Sequence, residues 1–208
     1  MEGEPIIVKS VKEKDNYTRL VNQWNPISES CMPTREELIP FKSRCTDEWM
    51  YLEKRAYEAF MKLKQDAFVF GYDIDTDSTY RTFQEQESVM EEFIEQIGEE
   101  DAKKRVSSPG ASEHHTALAI DLVFYRKNQL VSYDLINDND LDYCWVISHL
   151  SDYGFILRYP RNSIAITGII YEPWHIRYVG KEVAQYMKEN NLFLEEYHDR
   201  KVKKKTHN

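Results

Sequence analysis

Apolar and polar positions alternate along the chain with periods that change from segment to segment. After Thr46 and Asp47, either of which could cap a helix, Trp49, Leu52, Ala56, Phe60, Leu63 and Ala67 recur every three or four residues. That spacing places them on one face of a helix running to about residue 67. Phe68-Val-Phe-Gly-Tyr-Asp-Ile74 is short, aromatic and partly β-branched, and reads as a strand. Thr82-Phe-Gln-Glu85 has the form of a capping box. It opens a second helix with Phe83, Met90, Phe93 and Ile97 on its buried face and Gly98 as its stop. Residues 99–113 are polar, contain Pro109-Gly110 and read as a loop. Leu118 to Phe124 reads as a strand, about 140–153 as a helix ended by Gly154, and 156–159 and 168–178 as two strands around a loop. A last helix covers about 181–190.

Helices come first and strands dominate the second half. That order predicts an α+β fold: a central antiparallel sheet, helices packed on one side, and a single site in a cleft. Asn25-Pro26, Met32-Pro33 and Pro40 punctuate residues 1–45, which read as an irregular N-terminal arm. The catalytic domain is expected over 46–192. Residues 193–208 read as a basic tail, with Lys201-Val-Lys-Lys-Lys205 solvated or frayed.

The composition excludes several classes. With 41% hydrophobic and 30% charged residues among 208, the chain is globular and long enough for one packed domain. The net charge of −9 opposes binding to a phosphate backbone, so no nucleic-acid partner is expected. No apolar run suggests a membrane span, and the acidic start Met1-Glu-Gly-Glu lacks the pattern of a secretory signal. With Met1 as the native start, a cytoplasmic protein is expected. Cys31, Cys45 and Cys144 fit reduced thiols better than a disulfide frame, although a Cys31–Cys45 bridge remains open at this point.

Two of the histidines sit in unusual company. His114 lies seven residues before Asp121 in Ser112-Glu-His-His-Thr-Ala-Leu-Ala-Ile-Asp121, and His175 closes Glu172-Pro-Trp-His175. Two imidazoles and a carboxylate would give a catalytic zinc three ligands and leave one position open for water. A fourth group must then accept the water proton, and Glu172 is placed to do so. Pro173 makes a helix interior unsuitable here. On a regular strand, Glu172 and His175 would face opposite sides, so a bulge near Pro173 is needed to aim both at one point. Asp121, between Ile120 and Leu122, should be a buried carboxylate. Such a group is costly unless it binds a metal or is paired with a buried Arg or Lys.

These segments carry a resemblance. Ser112-x-His114-x-x-Ala117-x-Ala119-x-Asp121 resembles the Ser-x-His-x-x-Gly-x-Ala-x-Asp signature of the D-alanyl-D-alanine carboxypeptidase and dipeptidase family of zinc peptidases, the VanY, VanX and VanXY group. Glu172-Pro-Trp-His175-Ile-Arg-Tyr is similar to that family's second signature, and Tyr80-Arg-Thr-Phe-Gln-Glu-Gln86 to its Ser-Gly-Tyr-Arg-Ser segment. Tyr153 to Pro160 resembles the stretch between the signatures, and Leu20 to Ile27 the N-terminal arm. The blocks run in the family's order over most of residues 20–180.

The resemblance implies that His114, Asp121 and His175 hold Zn2+ and that Glu172 is the catalytic base. It implies that Arg81 stabilises the oxyanion, and that Ser112 and Gln86 help to hold the substrate. His115 should point away, and Trp174 should pack beside the metal. Ala117 stands where the family has glycine, which is harmless only if φ is negative there. The implied activity is hydrolysis of D-Ala-D-Ala dipeptide, or of the terminal D-Ala of peptidoglycan precursor peptides, with a role in glycopeptide resistance; the cytoplasmic VanXY type is the nearest in character. The alternatives are an L,D-carboxypeptidase trimming cell-wall tetrapeptides, a non-catalytic binder of wall peptides and a phage-type wall endopeptidase. A binder would have no use for Glu172, and a phage enzyme would normally carry a wall-binding domain.

Overall fold

The computed structural model describes residues 16–206, with side chains over 17–201. Its elements in chain order are β1 (Ile39–Lys42), β2 (Trp49–Leu52), α1 (Lys54–Val69), β3 (Asp73–Ser78), α2 (Phe83–Ile97), α3 (Glu99–Ala102), β4 (Ala119–Arg126), β5 (Gln129–Leu130), α4 (Leu141–His149), β6 (Phe155–Tyr159), α5 (Ile164–Thr167), β7 (Glu172–Tyr178), α6 (Lys181–Glu189) and α7 (Leu194–Thr206).

The fold is α+β, built on an antiparallel sheet in the order β3-β4-β7-β6, with β5 added to β4. Alternation along β4 divides the sheet. Ile120, Leu122 and Phe124 join Phe60, Leu63 and Ala67 of α1 and Tyr143 and Val146 of α4 in the main core. Asp121 alternates with those residues and so points to the other face. Helix α2 borders a cleft on that second face, with Met90 packed against Ala102 and Val106 in a small cluster of its own.

The first helix starts later than the apolar spacing suggests. Residues 49–52 pair with 39–42 as an antiparallel hairpin, with Asp47 at φ 56° in the turn. Met50 and Leu52 are buried, whereas Trp49 is 57% exposed. Trp49 and Leu52, three apart, would share a helix face but lie on opposite faces of a strand, as they do here, and pairing with the strand in the arm outweighs the helical spacing. Glu53 caps α1, its side chain accepting from the backbone N–H groups of Arg55 and Ala56. The same helix runs through Phe68 and Val69, so the aromatic stretch read as a strand is a helix end, and the strand begins at Asp73.

The capping box forms as expected: Thr82 Oγ1 accepts from the Glu85 N–H, and the Glu85 carboxylate accepts from the Thr82 N–H. Residues 99–102 of the expected loop form a helical turn. Gly154 ends the 140s helix region at φ 84°, where an added Cβ would lie 2.8 Å from the Tyr178 ring. Most of the expected tail forms the helix α7, anchored by the buried Leu194, and its last two residues, 207 and 208, lie outside the described residues. The three cysteines are free thiols. No helix among the described residues is long and apolar enough to cross a membrane.

Candidate metal and catalytic site

Asp121 on β4 and His175 on β7 are direct cross-strand partners, so sheet register alone brings them together. His114 arrives from a single helical turn, 113–116, that precedes β4. The turn is closed by Ala117 at φ 57°, ψ 26°, in the left-handed region. The condition for a harmless methyl is therefore not met: alanine occupies a conformation that suits glycine, fully buried. The required bulge is also present. Leu157 faces Ile176 and Tyr159 faces Glu172, so β7 carries two more residues than β6 across this stretch. That irregularity turns Glu172 and His175 toward the same cleft, with Glu172 Oε2 3.8 Å from His175 Nδ1.

One ligand atom from each of His114, Asp121 and His175 lies within 4.8 Å of the others, and all three residues are buried. Asp121 Oδ2 is 3.1 Å from His114 Nε2, and Oδ1 is 2.9 Å from His175 Nδ1. His114 Nδ1 contacts the Thr79 carbonyl, which can only accept, so the ring proton sits on Nδ1. Burial, reinforced by the Arg81 charge, lowers His114 to about 4 and keeps it neutral. Its Nε2 lone pair then faces a carboxylate oxygen, and a cation between the two relieves that repulsion. Burial alone would raise Asp121, but the two imidazoles outweigh it and hold the carboxylate well below its ordinary range. This donor set fits a divalent transition metal.

Asp121 is also paired with a partly buried arginine, Arg81 Nη2 donating to Oδ2 at 3.0 Å. Arg81 is itself held, its Nε donating to Ser78 Oγ at 2.9 Å and its Nη1 to Gln86 Oε1 at 3.0 Å. Gln86 donates its Nε2–H to the Ser107 carbonyl at 2.7 Å, so both ends of its amide are occupied. Ser112 lines the cleft, its Oγ accepting from the His114 N–H. His115 points away, its ring bonded to the Arg81 carbonyl and the Gly110 N–H and stacked on Phe83. Trp174 packs against Tyr133 at the cleft wall, 4.4 Å between centroids.

Burial raises Glu172 to about 8, against the pull of His175. His175, held by Asp121 and Glu113, is raised to about 9 despite its burial. The cleft has a volume of about 470 Å³ and an apolar side formed by Val89, Phe93, Val106 and Ile169. That is within the ~300–1,000 Å³ range of small-ligand sites.

Sequence reasoning missed Asp77 and Tyr133 in the cleft. Tyr133 donates to Asp77 Oδ1 at 2.6 Å, and burial together with the Asp121 charge raises Asp77 to about 6. It also missed Glu113, buried directly beside His114. A charged residue inside an otherwise buried motif was the available signal.

Residues 49–181 match the family described as VanY, D-alanyl-D-alanine carboxypeptidase. The chain is 34% identical over 200 residues to a putative carboxypeptidase, YodJ, of Bacillus subtilis (strain 168), covering 95% of this chain and 72% of that protein. It is 35% identical over 187 residues to the bifunctional D-Ala-D-Ala dipeptidase and carboxypeptidase VanXYC of Enterococcus gallinarum, covering 88% and 94%. Among solved structures, the LdcB LD-carboxypeptidase superposes with a TM-score of 0.77 at 32% identity, covering 95% of this chain and 92% of that one. The D,D-dipeptidase VanXYg, in complex with a D-Ala-D-Ala phosphinate analogue, gives 0.76 at 30%, covering 88% and 70%. A VanY D,D-pentapeptidase mutant from a VanB-type resistance cassette, in complex with Zn(II), gives 0.71 at 28%, covering 89% and 99%.

Proposed function

The chain belongs to the VanY family of D-alanyl-D-alanine carboxypeptidases, and from that premise we propose that it is a zinc-dependent D,D-peptidase. Its substrates would be D-Ala-D-Ala dipeptide, the terminal D-Ala of peptidoglycan precursor peptides, or both. One observation carries the reading: one ligand atom each from His114, Asp121 and His175 converge within 4.8 Å, with Glu172 beside them in the same cleft. His114, Asp121 and His175 would hold the zinc. When bound, the ion would supply Lewis-acid polarisation of the scissile carbonyl and make the attacking water more acidic.

The remaining work falls to the chain's own groups. Glu172 takes the proton of the attacking water and returns it to the leaving amine. Burial raises its proton affinity to a range where both transfers are feasible near neutral pH. Arg81 presents a guanidinium where negative charge develops on the tetrahedral carbon's oxygen. Gln86 and Ser78 fix that guanidinium, so Gln86 aids the substrate through Arg81. Ser112 lines the cleft and would hold the substrate backbone. Shortening D-Ala-D-Ala termini would remove the target of vancomycin-type antibiotics, which supports a role in glycopeptide resistance.

The likeness to LdcB favours a second reading equally, an L,D-carboxypeptidase that trims tetrapeptides. Zinc-loaded protein incubated with dipeptide, pentapeptide and tetrapeptide separates the two. Free D-alanine from the dipeptide or pentapeptide supports the D,D reading; cleavage of the tetrapeptide alone replaces it with the L,D reading.

A further inference from the structure

Behind His175, on the side turned away from Asp121, lies a carboxylate that the hydrolysis does not use. Glu113 is 1% exposed. Its Oε1 accepts from Arg158 Nε at 2.8 Å and lies 2.9 Å from Arg177 Nη1. Its Oε2 has no hydrogen-bond partner among the described residues and faces His175 Nε2 at 3.6 Å. That nitrogen is likewise buried and without a hydrogen-bond partner. Two such atoms left unpaired in the interior carry a desolvation cost that a small closing movement removes.

The two arginines are held by the ends of the described chain. Arg158 donates Nη1 and Nη2 to both carboxylate oxygens of Glu195, at 3.0 and 2.6 Å, and Asn22 donates to the same carboxylate at 3.2 Å. Arg177 Nη2 donates to the carbonyls of Tyr17 and Arg19, at 3.2 and 2.9 Å. Residues 17, 19, 22 and 195 all lie outside the family-matched segment 49–181.

We propose that Glu113 is a positioning residue for the metal, receiving the Nε2–H of His175 so that Nδ1 presents its lone pair, and that residues 17–22 and Glu195 hold it there through Arg158 and Arg177. The proposal rests on the zinc reading above. An imidazole whose second N–H is bonded to a carboxylate is fixed in tautomer and orientation and is more basic at the ligating nitrogen. The competing explanation is that Glu113 only neutralises two buried arginines. In that case its loss lowers stability and leaves the metal affinity of the folded protein unchanged.

The test is zinc affinity, measured on folded protein by competition with a chromophoric chelator, alongside the melting temperature without metal. Wild type is compared with Glu113→Gln, Glu195→Gln and Leu63→Ala, the last a core variant remote from the site. Glu113→Gln is expected to weaken zinc binding by about 10–100-fold. Glu195→Gln should weaken it several-fold, and Leu63→Ala should melt lower yet bind zinc as wild type does. Glu113→Gln protein that folds and binds zinc as tightly as wild type overturns the proposal. If that variant does not fold, Glu195→Gln decides: it leaves Glu113 in place, and an unchanged affinity overturns the coupling to the chain ends and with it the proposal. Wild type that binds no zinc would instead overturn the metal reading.

Discussion

Replacing Glu172 with Gln isolates the proton-transfer role from everything else at the site. The substitution keeps the volume and planar shape of the side chain and removes only its capacity to take up a proton. Glu172 is buried in the cleft wall, with Oε2 3.8 Å from His175 Nδ1, and lies outside the His114, Asp121 and His175 donor set. A positioned general base contributes about 10²–10⁴ in rate. The variant should therefore lose that factor in kcat, equivalent to about 2.7–5.5 kcal/mol of barrier. All three donors remain, so zinc content and affinity should match the parent. Stability should stay within about 1 kcal/mol, because no packing volume is lost. The assay is D-alanine release under saturating substrate, with zinc content and a melting curve on the same preparations. A folded, zinc-loaded Glu172→Gln protein turning over within a few-fold of the parent would refute the base assignment. A variant that had lost its zinc would show Glu172 to be a ligand instead.

Asp121→Asn should abolish tight zinc binding. It should also destabilise the metal-free protein by about 3–5 kcal/mol, because Arg81 and His175 lose their shared buried counter-charge; zinc titration and urea unfolding check both. Asp77 is raised to about 6, so the native protein keeps a proton that the unfolded chain loses near 3.8. Wild-type stability then falls as pH rises through that window, and Asp77→Asn removes the fall. Urea unfolding without metal should show the variant's advantage growing by about 2 kcal/mol between pH 4 and pH 6 and levelling near about 3 kcal/mol above pH 7; a constant difference contradicts the shift. Ala117→Gly should change stability by less than about 1 kcal/mol, because relief of the left-handed conformation offsets the added freedom of the unfolded chain. Ala117→Val should cost about 2 kcal/mol or more at this fully buried position, and thermal melts showing valine tolerated would argue against the backbone conformation.

The parts legible in the sequence were those governed by local chemistry. Thr82 and Glu85 are three residues apart and satisfy each other's backbone, so α2 is announced where it begins. Gly98 and Gly154 stop their segments because each adopts a positive φ. The parts that were missed depend on partners distant in sequence. Residues 49–52 form a strand only because 39–42 are there to pair with them. Residues 193–208 read as a basic tail, yet Leu194 is buried and Glu195 answers a buried arginine on β6. At the site, His114, Asp121, His175 and Glu172 were visible as motif residues, and the need for a bulge followed from the two-residue period of a strand. The Glu113, Arg158 and Arg177 network was not visible, because three charged residues at separate positions give no sign that they meet in one interior.

The central claim is that a single metal held by His114, Asp121 and His175 makes this protein a peptidase. The direct measurement is D-alanine release from D-Ala-D-Ala and from pentapeptide, during zinc titration of chelator-stripped protein. The account predicts an inert stripped protein, activity rising to a plateau at one zinc per chain, and no recovery in Asp121→Asn. Stripped protein that takes up no zinc, or that cleaves either peptide equally well without it, would contradict the account.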